Sequence, residues 1–176
     1  MTALTPVRHQ KRQLERPSIL ENSRSYGASV LEGAARRRHA DEMSASTIIE
    51  LSKTPVHLGL GAIVRIQEPF TGDLEWYERY GKRNQKDGVE GRLVSLHSFS
   101  EPWDTWEMHP KGEELVLCVA GQITLLQEIA GEVRQCTLGP GQAAINEAGV
   151  WHTADVSMPA TALFITAGVG TEIRPR

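Results

Sequence analysis

Between residues 90 and 168 the chain is cut into short, apolar-rich runs, each closed by glycine or proline. This punctuation limits the fold more than any other feature. Strand-like runs are expected at Arg92–Ser98, Thr105–His109, Glu114–Ala120, Gln122–Glu128, Glu132–Leu138, Ala143–Asn146, Trp151–Val156 and Thr161–Thr166. Runs of this length at intervals of roughly 8–12 residues predict an all-β barrel or sandwich. Strands do not alternate with helices here, which argues against a doubly wound sheet. Ahead of this region, residues 57–66 read as one strand interrupted by glycines. Residues 74–84 read as a short helix, with Trp76, Tyr77 and Tyr80 at helical spacing to pack it onto a sheet.

The first 42 residues have a different character. They hold 8 Lys+Arg and 5 Asp+Glu, against 11 and 17 in residues 43–176, and they show no sustained apolar period. The expectation is a mobile N-terminal extension over 1–42, a lead-in strand and helix over 43–89, and a barrel core over 90–176. Met43 is an alternative start. The extension lacks the apolar central stretch of a signal peptide, and no apolar run of 18 residues is available to span a membrane. Two cysteines in 176 residues make no disulfide framework. A reducing, cytoplasmic setting is the expectation. A single Arg36-Arg37-Arg38 run is too little to predict nucleic-acid binding.

The residues able to do chemistry gather around two turns. Glu107 and His109, two apart on a strand, point to one face. Pro110-Lys111-Gly112 turns the chain, and Glu114 opens a strand that runs back against the first. After Gly149, His152 opens another. Two imidazoles and one carboxylate form the donor set of a metal site with open positions. A second carboxylate would balance the charge of a divalent ion. Such donors suit Fe, Mn, Zn or Ni.

The spacings of these residues resemble the two motifs of the cupin superfamily. The first appears as Glu107-x-His109, four residues, Glu114, six residues, Gly121. The second appears as Gly141, five residues, Glu147-x-Gly149, two residues, His152, three residues, Val156. Three positions depart from the family pattern: Glu107 stands for a histidine, Glu147 for a proline and Val156 for an asparagine. The segment Trp106–Glu114 resembles a Trp-Glu-x-His-Pro-x-Gly-[Asp/Glu]-Glu form of the first motif. The resemblance implies a double-stranded β-helix, or jelly-roll, barrel. It implies a divalent metal held by His109, Glu114 and His152, with Glu107 either a fourth ligand or a base beside the metal. It also implies a small-molecule ligand or substrate, and pairing as a homodimer through edge strands. Isomerase and dioxygenase chemistry both occur in the family; a non-enzymatic sensor is the alternative.

The remaining candidates stand around these motifs. His97, on the preceding strand, is either a pocket-lining base or a hydrogen-bonded structural residue. Trp103, Trp106 and Trp151 either wall an apolar pocket or cover a barrel mouth or dimer contact. Cys118 shares the parity of Glu114 and reads as a small buried hydrophobe. Cys136, His9, His39 and His57 have no motif context.

Overall fold

The computed structural model describes residues 48–176. The expectations for residues 1–42 and for Met43 therefore lie outside the described residues. Eleven strands and one helix make up this unit. They are β1 (Val56–Gly59), β2 (Ile63–Ile66), α1 (Leu74–Asn84), β3 (Arg92–Phe99), β4 (Thr105–Met108), β5 (Glu114–Ala120), β6 (Ile123–Ile129), β7 (Glu132–Leu138), β8 (Ala143–Asn146), β9 (His152–Asp155), β10 (Ala160–Thr166) and β11 (Glu172–Pro175). A 3₁₀ turn, Gln85–Glu90, joins α1 to β3.

Two antiparallel sheets result. One has the order β2-β1-β3-β10-β5-β8 and the other β11-β4-β9-β6-β7. Chain neighbours repeatedly cross from one sheet to the other, and this interleaving is the double-stranded β-helix that the motif resemblance implied, within the all-β class that the punctuation predicted. The sheets face each other across a core of Val116, Cys118, Ile123, Leu125, Ala154, Ala162 and Phe164, all buried. Gly121 makes the tight turn after β5 with φ +73°; a Cβ there would lie 2.0 Å from the Pro159 carbonyl oxygen, so only glycine fits.

The register sets one polar layer at the same end of each sheet. Thr166, Glu114 and Asn146 stand side by side across β10, β5 and β8. Glu107, His152 and Gln127 do so across β4, β9 and β6. Directly opposed residues share a face, so both rows point inward. Two residues along, the rows are apolar: Phe164, Val116 and Ala144 on one side, Ala154 and Leu125 on the other. The barrel is thus greasy at one end and polar at the other. Gln127 Nε2 donates to Asn146 Oδ1 at 2.7 Å and ties the two polar rows together.

α1 covers the neighbouring flank. Asp73 caps it by accepting from the Trp76 amide at 2.7 Å, and Lys82 and Arg83 lie in its last turn. Trp76 is fully buried, edge-on to Phe70 and stacked on Tyr80. Burial of such a side chain contributes about 2–3 kcal/mol.

The strand expected over 57–66 is two strands. Gly61 and Ala62 both take positive φ and turn the chain into a β1–β2 hairpin. Those glycines mark the turn rather than interrupt a strand. β4 stops at Met108, so His109 sits just beyond the strand end. β11, which the sequence pattern does not announce, pairs with β4 and forms an edge.

Candidate metal centre

His109, Glu114 and His152 are each at most 3% exposed. Glu114 reaches between the imidazoles, with Oε1 3.5 Å from His109 Nε2 and Oε2 3.3 Å from His152 Nε2. Neither contact has hydrogen-bond geometry, and both Nε2 atoms are buried with no hydrogen-bond partner among the described residues. Glu107, His109 and His152 each offer a ligand atom, all within 4.8 Å of one another.

The far side of each ring decides which nitrogen carries the proton. His152 Nδ1 lies 3.1 Å from the Val150 carbonyl oxygen, which can only accept. That nitrogen is therefore the donor, and in the neutral ring Nε2 carries the lone pair. His109 Nδ1 lies 2.8 Å from Thr171 Oγ1. The His152 lone pair thus aims at the carboxylates, in the tautomer a metal ligand requires. Two orphaned, inward-aimed nitrogens beside two carboxylates fit a divalent ion that takes mixed nitrogen and oxygen donors.

The two carboxylates differ. Glu114 accepts from Asn146 Nδ2 at 2.9 Å and from Thr166 Oγ1 at 2.6 Å. Burial pushes its carboxyl up, but the two imidazoles outweigh this and hold it well below the usual range. Glu107 is only half-buried and has no hydrogen bond among the described residues. Burial and the Glu114 charge push its carboxyl up, against the pull of His109 and His152. His152 is pulled down by burial and lifted more strongly by Glu114, so its net shift is upward.

Two residues from α1 and β3 complete the surroundings. His97 faces inward opposite Ala162 and lies tilted among the rings of Phe70 (4.9 Å), Phe164 (5.8 Å) and Phe99 (6.3 Å). Burial lowers its imidazole, against the pull of Glu114. Tyr77 lies edge-on to Phe70. Its hydroxyl is pushed up to about 12, first by burial and then by the charges of Glu107 and Glu114. The helical spacing favours packing over a ligand role for Tyr77, and no local signal ties it to the two glutamates.

The tryptophans separate. Trp106 and Trp151 face outward and hold the Arg174 guanidinium at 5.4 and 4.3 Å from their ring centroids. They do not wall the pocket, because Trp106 alternates with inward-facing Glu107. Trp103 packs on Phe99 and Phe164 in the core. Cys118 is fully buried, its thiol against the carbonyls of Ala120 and Gly121, as expected of a small hydrophobe.

Fold and side chains together define a small double-stranded β-helix with a His/Glu cluster at its polar end. No protein-family model matches the chain, and no curated protein does. Solved structures similar to it include cupin superfamily proteins. One is a cupin superfamily protein from Desulfitobacterium hafniense, at 21% identity and a TM-score of 0.37, over 43% of this chain and 65% of that one. Another is a double-stranded β-helix protein from Klebsiella pneumoniae, at 21% and 0.40, over 48% and 76%. A third is hydroquinone 1,2-dioxygenase from Sphingomonas, at 18% and 0.36, over 43% and 59%. The chain thus spans under two thirds of the length of the first and third of these.

Proposed function

We propose that His109, His152 and Glu114, with Glu107 either a fourth ligand or a base beside the ion, hold a divalent metal ion, one of Fe, Mn, Zn or Ni, and that the protein acts there on a small organic molecule. The observation that carries this reading is the pair of buried Nε2 atoms without partners, since leaving such atoms unpaired costs about 1–3 kcal/mol each. A bound ion supplies Lewis acidity and open positions for ligand oxygens. The chain supplies the proton chemistry. Glu107, half-buried and shifted upward, is placed to take or give a proton at its free carboxylate oxygens. His97, held neutral by its aromatic surroundings, is the second candidate base. The Tyr77 hydroxyl keeps its proton at neutral pH and can donate a hydrogen bond. Isomerase- and dioxygenase-type reactions both suit this arrangement.

The reading extends to a cytoplasmic homodimer paired through edge strands. β2, an edge, leaves Ile63, Val64 and Ile66 about half exposed, which supports pairing there. No described helix is long and apolar enough to cross a membrane.

Elemental analysis of the purified protein beside a His109→Ala/His152→Ala variant tests the site. About one ion per chain, lost in the variant, is expected; a wild type that takes up none when offered would sink the proposal. Glu107→Gln then assigns Glu107. Retained metal with lost turnover makes it a base, and lost metal makes it a ligand. Retained metal and retained turnover would exclude both roles for Glu107, and metal binding with no turnover in either protein would favour a sensor.

A further inference from the structure

We infer that Thr171 is a positioning residue, which presents His109 to the metal by fixing its tautomer. The inference rests on the metal reading above and adds a residue from a segment outside both sequence motifs. Thr171 precedes β11, 62 positions after His109 in the chain. Its hydroxyl has one proton, and Gly168 O accepts it at 3.2 Å. With that proton given to Gly168, the hydroxyl accepts from His109 Nδ1, at 2.8 Å. In that arrangement Nδ1 carries the imidazole proton, and Nε2 is left as a lone pair aimed at the carboxylates.

His152 needs no such device, because the Val150 carbonyl, just ahead of its own strand, does the same work. His109 lies past the end of β4 and draws its partner from another element. That element is fastened from outside. Arg174 is stacked on Trp106 and Trp151 and hydrogen-bonded to Glu128, and Arg176 pairs with Asp155 at 2.7 Å. Outward-facing tryptophans that line no pocket thus hold the strand that delivers a hydroxyl to an inward-facing ligand. Partners of this kind, acting through a ligating histidine, typically set metal affinity by about 10–100-fold.

The test compares Thr171→Val, which keeps the side-chain shape, with Thr171→Ser, which keeps the hydroxyl. Zn(II) affinity is measured by competition with a chromophoric chelator. The His109 tautomer is read in the metal-free protein by long-range ¹H–¹⁵N correlation at about pH 9, where a free imidazole is neutral. Thr171→Val should bind Zn(II) about 10–100-fold more weakly and show the Nε2–H form, while Thr171→Ser stays within about threefold of wild type. Unchanged affinity and tautomer in Thr171→Val would overturn the inference. Weaker binding with an unchanged tautomer would overturn it too, since a loosened strand would then be the cause. A wild type that binds no Zn(II) removes the metal reading, and the tautomer alone then decides the role of Thr171. Should Thr171→Val misfold, Thr171→Ala removes the hydroxyl in its place.

Discussion

Two buried histidine–carboxylate clusters stand among the described residues, and they differ in how their polar atoms are satisfied. Under α1, His57 is 2% exposed and uses both ring nitrogens: Nε2 meets Asp87 Oδ2 at 2.9 Å, and Nδ1 meets the Tyr80 hydroxyl at 2.7 Å. Asp87 also takes the Arg65 guanidinium and the Leu60 amide. Every donor there has its acceptor. In the barrel, His109 and His152 use only Nδ1, and their Nε2 atoms converge without partners. Residue type is nearly the same in both places. Satisfaction of the polar atoms separates a latch, which joins β1, α1 and the 3₁₀ turn, from the metal site proposed in the barrel.

The contrast breaks most sharply on metal-linked stability. A ligand that binds only the folded state stabilises it by about 4 kcal/mol at a thousandfold excess over Kd. Thermal unfolding with and without added Zn(II) should show an increment of that order in wild type and in Asp87→Asn, and none in His152→Ala. An increment that survived His152→Ala would mean the ion sits elsewhere, and the distinction between the clusters would fail.

A smaller effect isolates the latch. Gly91 lies against His57: a Cβ there would fall 2.5 Å from His57 Cε1, although the Gly91 backbone itself is ordinary, with φ −67°. Gly91→Ala should displace His57 and cost about 1–3 kcal/mol in chemical denaturation, with Zn(II) affinity unchanged. An affinity that fell in step would show that the two clusters are coupled through β3.

How much of this is legible in the sequence follows from distances along the chain. His109 and Glu114 are five residues apart with a turn between them, which keeps them close, but β4 and β5 lie in different sheets and do not pair as the sequence suggested, so the two residues meet across the barrel rather than along one ladder. His152 joins them through the recurrence of the second motif. The β5, β7 and β8 limits read from glycine and proline agree with the structure. The latch is invisible in the sequence because His57 finds Tyr80 and Asp87 23 and 30 residues away, and no local period announces such partners. β11 escapes notice because four residues, Glu172–Pro175, with a terminal proline carry too little alternation to read as a strand. With it go Thr171 and Arg174. The Trp106 and Trp151 alternatives needed parity relative to Glu107 and His152; applied strictly, alternation sends both rings outward.

The finest distinction lies in pH, and its sign differs between the clusters. Arg65, ahead of the opposing effect of burial, and then His57 hold the Asp87 carboxyl below its ordinary value. A depressed carboxyl contributes stability that is present above its unfolded value, near 4, and lost as the pH falls through the folded one. The stability gap between wild type and Asp87→Asn should therefore close in acid. In the metal-free barrel, Glu114 lifts His152 against the pull of burial. A raised imidazole contributes stability that is full below about pH 6.5 and lost as the pH rises through its folded value. The pH-dependent part of the gap between wild type and His152→Ala should accordingly close toward alkaline pH. Protons held by His152 and Glu107 also compete with the ion, so Zn(II) affinity should go on rising above about pH 6.5. Denaturation midpoints of the three proteins between about pH 4 and 9, with chelator present, check both signs. Two gaps that closed toward the same end would show that one network spans both clusters.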